Sequence, residues 1–418
     1  RAIVPFGRSD RLKEAFILDI TDKSEYDNLK EIKKVIDEKP VLSSKMIELA
    51  RWMKRRYICT LSDAVKCMLP AGASVKRKRV VKLTGMKTDA DETAQRILDE
   101  LAKSGGECEY EELGEKCGIK MFSYHIRQLE KMGAVAVTEE FSSPVKEKTV
   151  KAVRLAVSRE EVVDEIESGS VKRIQQIKVL EMLIESESVS VTDLMRFAGV
   201  SRSVLGTLKK RGYIDFFNME VKRDPLEHKV VESTEPLEPT DEQRLVLEEV
   251  KKKLDRGAFE EILLYGVTGS GKTEVYLQLI QHTIDTGKQA VVLVPEISLT
   301  PQMFERFKGR FGDDVAVLHS RLSPGERYDQ WRLIREGKAR VVLGARSAVF
   351  APLDKIGIII IDEEHETSYK SETTPKYHAA EIARIRCMQE NALLLYGSAT
   401  PSVETFFRAE KGEITLMK

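Results

Sequence analysis

Short apolar runs recur in the second half of the chain, and polar residues follow directly after each of them. These runs cover residues 262–265, 290–294, 315–318, 341–343, 358–361 and 392–396. Runs of this length without alternation are typical of strands buried on both faces, as in a parallel sheet. Open α/β sheets bind ligands at the carboxyl ends of their strands. The pattern therefore predicts an α/β domain whose polar clusters meet at one edge of a parallel sheet.

The first part of the chain follows a different pattern. Extended runs at residues 2–7 and 16–18 predict strands, and helical spacing of apolar residues predicts helices at about residues 28–36 and 43–54. The second helix ends in the aromatic and basic cluster Lys54-Arg55-Arg56-Tyr57. Such a cluster can be a solvated helix end favoured by the helix dipole, or a contact to a phosphate, and the residues leave both open.

Two segments in the middle of the chain resemble one another. Residues 97–137 and 178–217 each contain a helix, a polar turn, a short helix, Gly-Ile or Gly-Val, a longer helix, a glycine and a β-like end. This order is typical of a helix-turn-helix with a wing. The longer helices carry cationic or titratable residues: His125, Arg127 and Lys131 in the first copy, and Arg202, Lys209, Lys210 and Arg211 in the second. The pattern favours duplex binding, but winged helices also serve as spacers and protein-docking modules.

Two further stretches flank these segments: a basic run before the first, and a charged stretch with prolines after the second. Lys76, Arg77, Lys78 and Arg79 form a basic run within a β-like stretch, and we interpret them as DNA contacts, with a solvated face as the alternative. Residues 223–237 hold prolines and many charges without helical period, which indicates a linker.

The strand at residues 262–265 runs into GVTGSGKT at residues 266–273, which matches the P-loop pattern at every fixed position. Glycines, here Gly266, Gly269 and Gly271, let the backbone wrap a phosphate and turn its N–H groups toward it. Lys272 is then expected on the β- and γ-phosphates of ATP and Thr273 on Mg²⁺. A chance glycine-rich turn is the alternative for this pattern alone.

A second motif typical of nucleotide-hydrolysing proteins follows the apolar run at residues 358–361. The apolar run leads into Asp362 and Glu363, a Walker B arrangement in which Asp362 would hold Mg²⁺ and Glu363 would polarise the attacking water. Gln243 lies about two dozen residues before the P-loop, where a glutamine can read the adenine edge. An ordinary surface glutamine is the alternative there.

Five motifs in order carry a family resemblance: GVTGSGKT, PEISLTPQ, GARSAVFAP, DEEH and GSATPS. Together they resemble superfamily 2 DNA helicases, and the second and third are similar in particular to the PriA family of replication-restart helicases. The VPFG stretch at residues 4–7 and the turn at residues 68–70 resemble the DNA 3′-end-binding domain of that family, and the middle of the chain resembles its winged helix.

The resemblance implies a multidomain α/β protein. A RecA-like parallel-sheet lobe would occupy residues 238–418, after the linker at 223–237, a winged-helix-type DNA-binding region at 73–222 and a partial, small, β-rich 3′-end-binding domain at 1–72. The implied activity is ATP-dependent 3′→5′ unwinding at stalled or abandoned replication forks, followed by primosome assembly, with ATP and Mg²⁺ as cofactors. The implied partners are branched and single-stranded DNA, primosome proteins and single-strand-binding protein.

Further site residues come from the same resemblance. The helicase motif residues are His365, Ser398 and Thr400, and the residues for DNA binding or coupling include Arg346, Lys370, Tyr377 and His378. With Tyr369, the last three place aromatic and cationic groups just past the acidic pair, where rings could stack on single-strand bases. An ordinary surface loop is the alternative for this stretch.

Length and composition limit these interpretations. A chain of 418 residues predicts about two to four domains, and 68 basic against 68 acidic residues give a net charge of zero, so a DNA-binding role must rest on local patches. Five cysteines without a CxxC pair argue against a zinc site or disulfide framework and favour a reducing, cytoplasmic setting. No apolar stretch is long enough to span a bilayer. We expect a monomer.

The ends of the chain suggest a piece of a longer protein. It begins at Arg1 without a methionine and stops at Lys418 shortly after a motif that lies mid-protein in the family. The resemblance places a second helicase lobe with its arginine finger, and a zinc module, in the remaining part. This chain alone is then expected to bind DNA and nucleotide but to turn over ATP poorly. Competing functions are a P-loop kinase, which needs neither DEEH nor a downstream SAT triplet, and a non-catalytic DNA-docking protein, which needs no acidic pair.

Overall fold

The computed structural model describes residues 1–7, 11–25, 28–70, 76–86, 91–142, 149–220 and 231–418. The chain forms two compact units. Arg1–Val145 and Val230–Lys418 make up the first, and Lys146–Lys229 make up the second.

The first unit begins with a small antiparallel sheet and two helices. In chain order they are β1 (Ala2–Phe6), β2 (Arg11–Ala15), β3 (Lys34–Val35), α1 (Ser44–Arg56) and α2 (Leu61–Cys67), with β1 pairing to both other strands. The helix α1 begins where the Ser43 hydroxyl accepts a hydrogen bond from the Met46 amide (3.4 Å). The strand predicted from residue 2 and the helix predicted from residue 43 are confirmed.

Two predictions in this region are wrong. Residues 16–18 form no strand, because Ala15 already pairs with Ala2 at the start of β1 and later residues would run past the end of that partner. No helix forms at residues 28–36, where β3 pairs with β1 instead. Leu29 and Ile32 are exposed, so the apolar period that suggested a helix has no core to face.

The two similar segments share one order of elements, and the second has an additional helix after its first strand. The first contains β4 (Lys76–Leu83), α3 (Glu92–Lys103), β5 (Glu107–Glu109), α4 (Tyr110–Cys117), α5 (Phe122–Lys131) and β6 (Val135–Ser142). The second contains β7 (Thr149–Leu155), α6 (Arg159–Glu167), α7 (Ile174–Glu185), β8 (Val189–Ser190), α8 (Val191–Ala198), α9 (Arg202–Lys210) and β9 (Ile214–Glu220). In each copy the first strand lies in the middle of a three-stranded sheet, in the orders β5-β4-β6 and β8-β7-β9.

Glycines with positive φ lie at corresponding positions of the two copies. Gly118 ends α4 and Gly199 ends α8 in the left-handed conformation, with φ of 60° and 64°. Gly133 and Gly212, with φ of 73° and 81°, follow two residues after α5 and α9. A side chain at these φ values would strain the backbone, so the glycines fix where each helix pair turns. Lys131 and Lys210 are therefore equivalent residues at the ends of α5 and α9.

The rest of the first unit alternates strands and helices. In chain order these are α10 (Asp241–Arg256), β10 (Glu260–Tyr265), α11 (Lys272–Asp285), β11 (Gln289–Leu293), α12 (Pro301–Phe311), β12 (Val315–Leu318), α13 (Pro324–Arg335), β13 (Val341–Gly344), β14 (Ile356–Asp362), α14 (Ala379–Glu390), β15 (Leu393–Ser398), α15 (Val403–Glu410) and β16 (Thr415–Met417). Within the described residues, β10–β16 form one parallel sheet of seven strands, in the order β12-β13-β11-β14-β15-β10-β16. The sheet expected from the apolar runs is confirmed, and β16 is an additional strand.

Buried side chains cover both faces of this sheet. Ile262 and Leu264 lie in one core with residues of α10, α11 and α12, whereas Leu263 lies in the other core with residues of α14. The second core continues without interruption into Met46, Leu49, Met53 and other residues of α1 and α2. The amino-terminal segment and the sheet therefore share one hydrophobic core.

A buried carboxylate ties one edge of the sheet to its helices. Glu261, whose side chain is 5% exposed, accepts hydrogen bonds from Arg384, Arg408 and the Tyr396 hydroxyl, each at 2.9 Å. Burial by itself raises the pKa of Glu261, but these three donors outweigh it and hold the pKa below its usual value. The ionised form is therefore the one that the fold stabilises.

We expect Glu261→Gln to lower the free energy of unfolding by about 1–3 kcal/mol at pH 7, because it leaves buried donors less well satisfied. A carboxylate with a depressed pKa stabilises the fold above its unfolded pKa of about 4.3, and the contribution is lost as pH falls through the folded pKa. The difference between the two proteins should therefore shrink at acid pH. Urea unfolding followed by tryptophan fluorescence reports on this unit, since both tryptophans, Trp52 and Trp331, lie in it.

The matched control is Glu413→Gln. Glu413 pairs with the same Arg408 (3.4 Å) but its side chain is exposed, so we expect a change below about 1 kcal/mol. Equal effects of the two substitutions would contradict the role given to burial.

Candidate functional site

The P-loop joins β10 to α11 at the carboxyl edge of the sheet. Gly269 and Gly271 both have φ of 81°, the left-handed region that lets the chain turn its amides inward. The Lys272 ammonium donates to the carbonyls of Gly266 (2.8 Å) and Val267 (3.3 Å) of the same loop. The cation is thus held directly over the cradle that the backbone forms.

Gln243 fastens α10 to this loop. Its side-chain carbonyl accepts from the Thr240 amide (3.0 Å), and its amide nitrogen donates to the Ser270 carbonyl (2.8 Å). A Cβ added to Gly271 would lie 2.4 Å from the same nitrogen, so only glycine fits beneath Gln243. Adenine recognition by Gln243 stays a prediction, and in this arrangement both ends of its amide are bonded within the protein.

The acidic pair follows β14 beside the P-loop. Asp362 Oδ1 accepts a hydrogen bond from the Tyr276 hydroxyl (2.9 Å). Burial raises the pKa of Asp362; the Tyr276 bond opposes this, the neighbouring Glu363 adds to it and Lys272 opposes it. Glu363 has φ of 44°, so a left-handed turn sets the direction of the second carboxylate.

One cavity of about 610 Å³ brings six of the eight predicted nucleotide-binding residues together: Gly269, Gly271, Lys272, Thr273, Asp362 and Glu363 line it. Gly266 and Gln243 are not among the described residues that line this cavity. A glycine cradle, an ammonium, a hydroxyl and a carboxylate around one space fit a magnesium nucleotide, because Mg²⁺ commonly binds one or two carboxylates together with substrate phosphates. Among the described residues, no group of three or more His, Cys, Asp or Glu side chains is placed to hold a metal by itself.

Two buried tyrosines support the acidic pair, a role that the sequence suggested for neither of them. Tyr276, on α11, reaches Asp362 because Gly397 leaves room for its ring: a Cβ on Gly397 would lie 1.7 Å from the Tyr276 hydroxyl oxygen. The Tyr369 hydroxyl lies within hydrogen-bonding distance of the carbonyls of Asp362 (2.5 Å) and Leu293 (3.0 Å). The position of Asp362 is thus fixed from the P-loop helix and from the loop that follows it.

His365 connects the acidic segment to the end of β15. Its Nδ1 lies 2.9 Å from the Ser398 hydroxyl and its Nε2 lies 3.5 Å from the Thr400 hydroxyl. The neighbouring Glu364 accepts from the amide (3.1 Å) and hydroxyl (2.6 Å) of Ser402. The structure therefore brings together the three helicase motif residues named from the sequence, and Glu364 adds a second connection that the motif pattern did not indicate.

Arg346 organises the loop after the acidic pair. Its Nη1 donates to the carbonyls of Ser368 (3.3 Å) and Lys370, and its guanidinium carbon lies 5.8 Å from the centre of the Tyr377 ring. Tyr377 packs edge-on against Phe350, with ring centres 5.0 Å apart. These contacts join Arg346, Lys370 and Tyr377, three of the residues predicted for DNA binding or coupling, in one cluster.

The interpretation of Tyr369 and Tyr377 as rings offered to DNA bases is wrong for this structure. Their exposed fractions are 1% and 5%, so neither ring presents a free face. Lys370 is exposed, and His378 is a half-buried residue whose Nδ1 accepts from the Ala380 amide (3.3 Å) at the start of α14. DNA binding or coupling through these four positions stays a prediction, with coupling through packing as the form that the contacts allow.

The basic run at residues 76–79 is not a free cationic patch. Three of its side chains pair with carboxylates of their own segment, and nothing is described of the Lys76 side chain. The partners are Glu139 for Arg77, Glu109 for Lys78 and, at 2.8 Å, Glu111 for Arg79. Cations compensated in this way offer less to a phosphate backbone than the sequence suggested.

The aromatic and basic cluster at residues 54–57 has a third use that the sequence did not suggest. The Tyr57 hydroxyl donates to Glu381 of α14 (2.5 Å), and Arg56 pairs with the same carboxylate (2.5 Å). The cluster connects α1 to the helix that follows the Arg346 loop. Arg56 is nevertheless exposed in the last turn of α1, as a solvated helix end would be, and a phosphate contact stays a prediction.

The second winged copy differs in charge from the first. Its α9 contains Arg202, Lys209 and Lys210, all exposed, and no acidic residue. Lys209 pairs with Asp215 at 3.3 Å. In the equivalent α5 of the first copy, Glu130 lies among the cations.

Comparison with known proteins gives two family matches. Residues 1–70 match the 3′ DNA-binding domain of PriA, and residues 240–407 match the DEAD/DEAH box helicase family. The replication restart protein PriA of Bacillus subtilis is 38% identical over 422 residues, which cover 100% of this chain and 51% of that protein. The chain belongs to the PriA family. PriA of Synechocystis is 34% identical over 370 residues, covering 86% of this chain and 43% of that protein.

The chain spans about half the length of these PriA relatives. Among solved structures, RecG bound to a three-way DNA junction is 22% identical with a TM-score of 0.32, and covers 44% of this chain and 24% of that one. A score this low adds nothing to the PriA assignment. Within the described ranges, no helix combines the length and apolar character needed to cross a bilayer.

Proposed function

We propose that this chain is the DNA- and nucleotide-binding part of an ATP-dependent 3′→5′ DNA helicase that recognises stalled or abandoned forks and starts primosome assembly for replication restart. The observation that carries the proposal is the hydrophobic core shared by the segment that matches a 3′ DNA-binding domain and the sheet that forms the nucleotide cavity. A module that reads DNA ends and a module that binds ATP are thereby mechanically joined.

The proposed division of the chain is the one that the sequence suggests. We assign residues 1–72 to DNA 3′-end binding, 73–222 to the winged-helix-type region, 223–237 to a linker and 238–418 to the ATP-binding lobe. The two family matches fall inside the first and last of these segments. The chain passes between the compact units twice: at residues 145 and 146 within the second segment, between the two winged copies, and at residues 229 and 230 within the proposed linker.

In the nucleotide cavity each residue has a role that its position supports. Lys272 binds the β- and γ-phosphates, Thr273 and Asp362 hold Mg²⁺, and Glu363 orients and polarises a water. Bound Mg²⁺ would supply neutralisation of phosphate charge. The Tyr276 hydroxyl occupies one oxygen of Asp362 and thereby orients the other.

The contacts of the loop that follows the acidic pair suggest how bound DNA acts on the nucleotide cavity. Arg346 holds the loop at residues 368–370, and Tyr369 of that loop touches the carbonyl of Asp362. Binding of single-stranded DNA that moves this loop would act directly on β14, the strand that ends in Asp362. The primosome proteins and single-strand-binding protein remain proposed partners through the family resemblance alone.

Phosphate release and unwinding test the proposal. The 418-residue polypeptide should bind ATP but release phosphate slowly with or without forked DNA, because the family resemblance assigns the arginine that stabilises transition-state charge to a second helicase lobe. The complete protein should unwind a partial duplex with a 3′ single-strand tail. Unwinding from a 5′ tail only would contradict the direction, and brisk DNA-stimulated turnover by the 418 residues alone would contradict the slow-turnover proposal.

A further inference from the structure

Phe197 lies on the surface of the second winged copy, in the last turn of α8. It is 69% exposed, and the guanidinium carbon of Arg196 lies 5.7 Å from the centre of its ring. Gly199, in the left-handed conformation, then turns the chain into α9. Buried side chains hold the opposite side of α8 in the core: Val191, Leu194 and Ala198. The ring is therefore presented to solvent at a defined place, beside the turn between the two helices.

The surroundings of Phe197 indicate what kind of partner this ring meets. Single exposed apolar side chains are common on protein surfaces and by themselves indicate nothing. Residues 194–214, however, contain five cations and no aspartate or glutamate. Arg196 and Arg202, on either side of the ring in the sequence, are both exposed. An aromatic ring among cations suits a nucleic acid, because the cations attract phosphates and every base offers a face for stacking.

The first winged copy carries different residues at the same place. Counted from the glycines that end α4 and α8, Lys116 corresponds to Phe197. The residue before it, Glu115, is a carboxylate where the second copy has Arg196. Lys116 also pairs with Glu112, one turn earlier on α4 (2.8 Å). Of the two copies, only the second thus combines an exposed ring with a neighbouring guanidinium.

The place of α8 in a helix-turn-helix indicates which part of a DNA molecule the ring meets. When the second helix of this motif, here α9, enters the major groove, the first helix crosses the phosphate backbone. A ring at the end of α8 then lies beside the groove and not within it. Bases of an intact duplex stay stacked inside the helix, out of reach of such a ring. An unpaired base next to the duplex can turn outward and stack on it.

We propose that Phe197 stacks on an unpaired base at a branch point of DNA, where a duplex contacted by α9 gives way to a single strand. Arg196, beside the ring, pairs with a phosphate of that strand. The second winged copy thereby distinguishes branched DNA from an uninterrupted duplex. The inference rests on the proposed DNA binding and deepens it, because it names the feature of the DNA that this copy reads.

Three covalently closed duplexes separate a contact to a base from a contact to the backbone. All are closed at both ends by non-nucleotide linkers and so contain no 3′ end. The first is fully paired, the second carries a bulge of unpaired nucleotides, and the third has abasic residues in the same bulge. The 418-residue protein should bind the second about 10-fold more tightly than the third, because these two differ only in the bases. Anisotropy titrations at one salt concentration give the three affinities.

Substitutions at the end of α8 should separate the ring from the charge. Phe197→Ala should reduce the preference for bases over abasic residues to about two-fold or less, while the fully paired duplex binds as before. Phe197→Leu should behave like Phe197→Ala because it keeps apolar area without a ring, and Phe197→Trp should retain the preference. Arg196→Gln should weaken both bulged duplexes alike, since it removes a phosphate contact. Lys116→Ala, the matched change in the first copy, should leave all affinities within about two-fold of wild type.

Several results would overturn the inference. Equal weakening of all three duplexes by Phe197→Ala would place the ring on paired DNA. An unchanged preference in this variant, or no preference in the wild-type protein, would leave the end of α8 as a surface for a protein partner. A preference retained by Phe197→Leu would contradict stacking by the ring. A wild-type protein that binds none of the three duplexes would instead overturn the proposed DNA binding itself.

Discussion

Lys272→Ala should lower the affinity for magnesium-ATP roughly 100-fold while leaving duplex affinity within about two-fold of the wild-type value. The substitution removes charge-assisted contacts to two phosphates, each contributing about 1.5–3 kcal/mol. The duplex-contacting residues that we propose lie on α9, in the other compact unit, so they do not depend on this side chain. Nucleotide and DNA affinities should be measured on one preparation, by titration calorimetry and fluorescence anisotropy.

The control for Lys272→Ala is Lys338→Ala. Lys338 is an exposed lysine of the same unit that pairs with Glu336, and removing it should change neither affinity. Parallel loss of nucleotide and DNA binding in Lys272→Ala would show that the two functions are not separate. Unchanged ATP binding would remove Lys272 from the phosphate cradle.

Much of the ATP-binding lobe could be predicted because its signals are local. Each strand of the parallel sheet is a short apolar run, and the phosphate cradle, the acidic pair and the residues His365, Ser398 and Thr400 all follow directly after such runs. Local sequence decides both the strand and the residue at its carboxyl end. Topology then brings these ends together at one edge of the sheet.

The parts that escaped prediction depend on partners distant in sequence. From the sequence alone, Tyr276 is an ordinary apolar position of α11. Its contact with Asp362 depends on β15, which places Gly397 against the tyrosine ring. The pairing of Arg310 with Glu274 joins two helices 36 residues apart. A sequence shows that such residues are present, but it does not show which of many possible partners the fold selects.

The charges of the two winged copies also depend on partners that the sequence does not show. The basic run at residues 76–79 is conspicuous in the sequence, yet β4 pairs with β6 in a register that places Arg79 opposite Glu139, and further carboxylates lie within reach on β5 and α4. The cations of α9 are less conspicuous because apolar core residues separate them. In the folded protein Arg202, Lys209 and Lys210 are all exposed, on a helix that contains no acidic residue.

This contrast leads us to propose that duplex DNA contacts the second winged copy and not the first. A phosphate backbone attracts a surface in proportion to the cations that it neutralises, each of which releases counterions. The α9 helix offers three cations, and among the described residues an ion pair is seen only for Lys209, with Asp215, whereas α5 carries Glu130 within its basic set. The helix-turn-helix arrangement of α8 and α9 is also the one in which the second helix enters the major groove.

The double charge reversal Arg202→Glu with Lys210→Glu should therefore weaken duplex binding roughly 10- to 100-fold at about 0.1 M salt. Loss of two phosphate contacts should also reduce the slope of log affinity against log salt by about 1.8. A covalently closed dumbbell duplex is the suitable probe, because it has no 3′ end for the 3′ DNA-binding domain to read. Anisotropy titrations over a range of salt concentrations provide both quantities.

The first copy supplies a matched control, Arg127→Glu with Lys131→Glu. It reverses the same number of charges on α5, and Lys131 and Lys210 occupy equivalent positions two residues before the glycines that end each helix turn. We expect this variant to bind the dumbbell within about three-fold of wild type, since Glu130 makes the net charge of α5 smaller than that of α9. Similar losses in both variants would mean that long-range charge and not α9 drives binding, and a loss confined to the first copy would reverse the assignment.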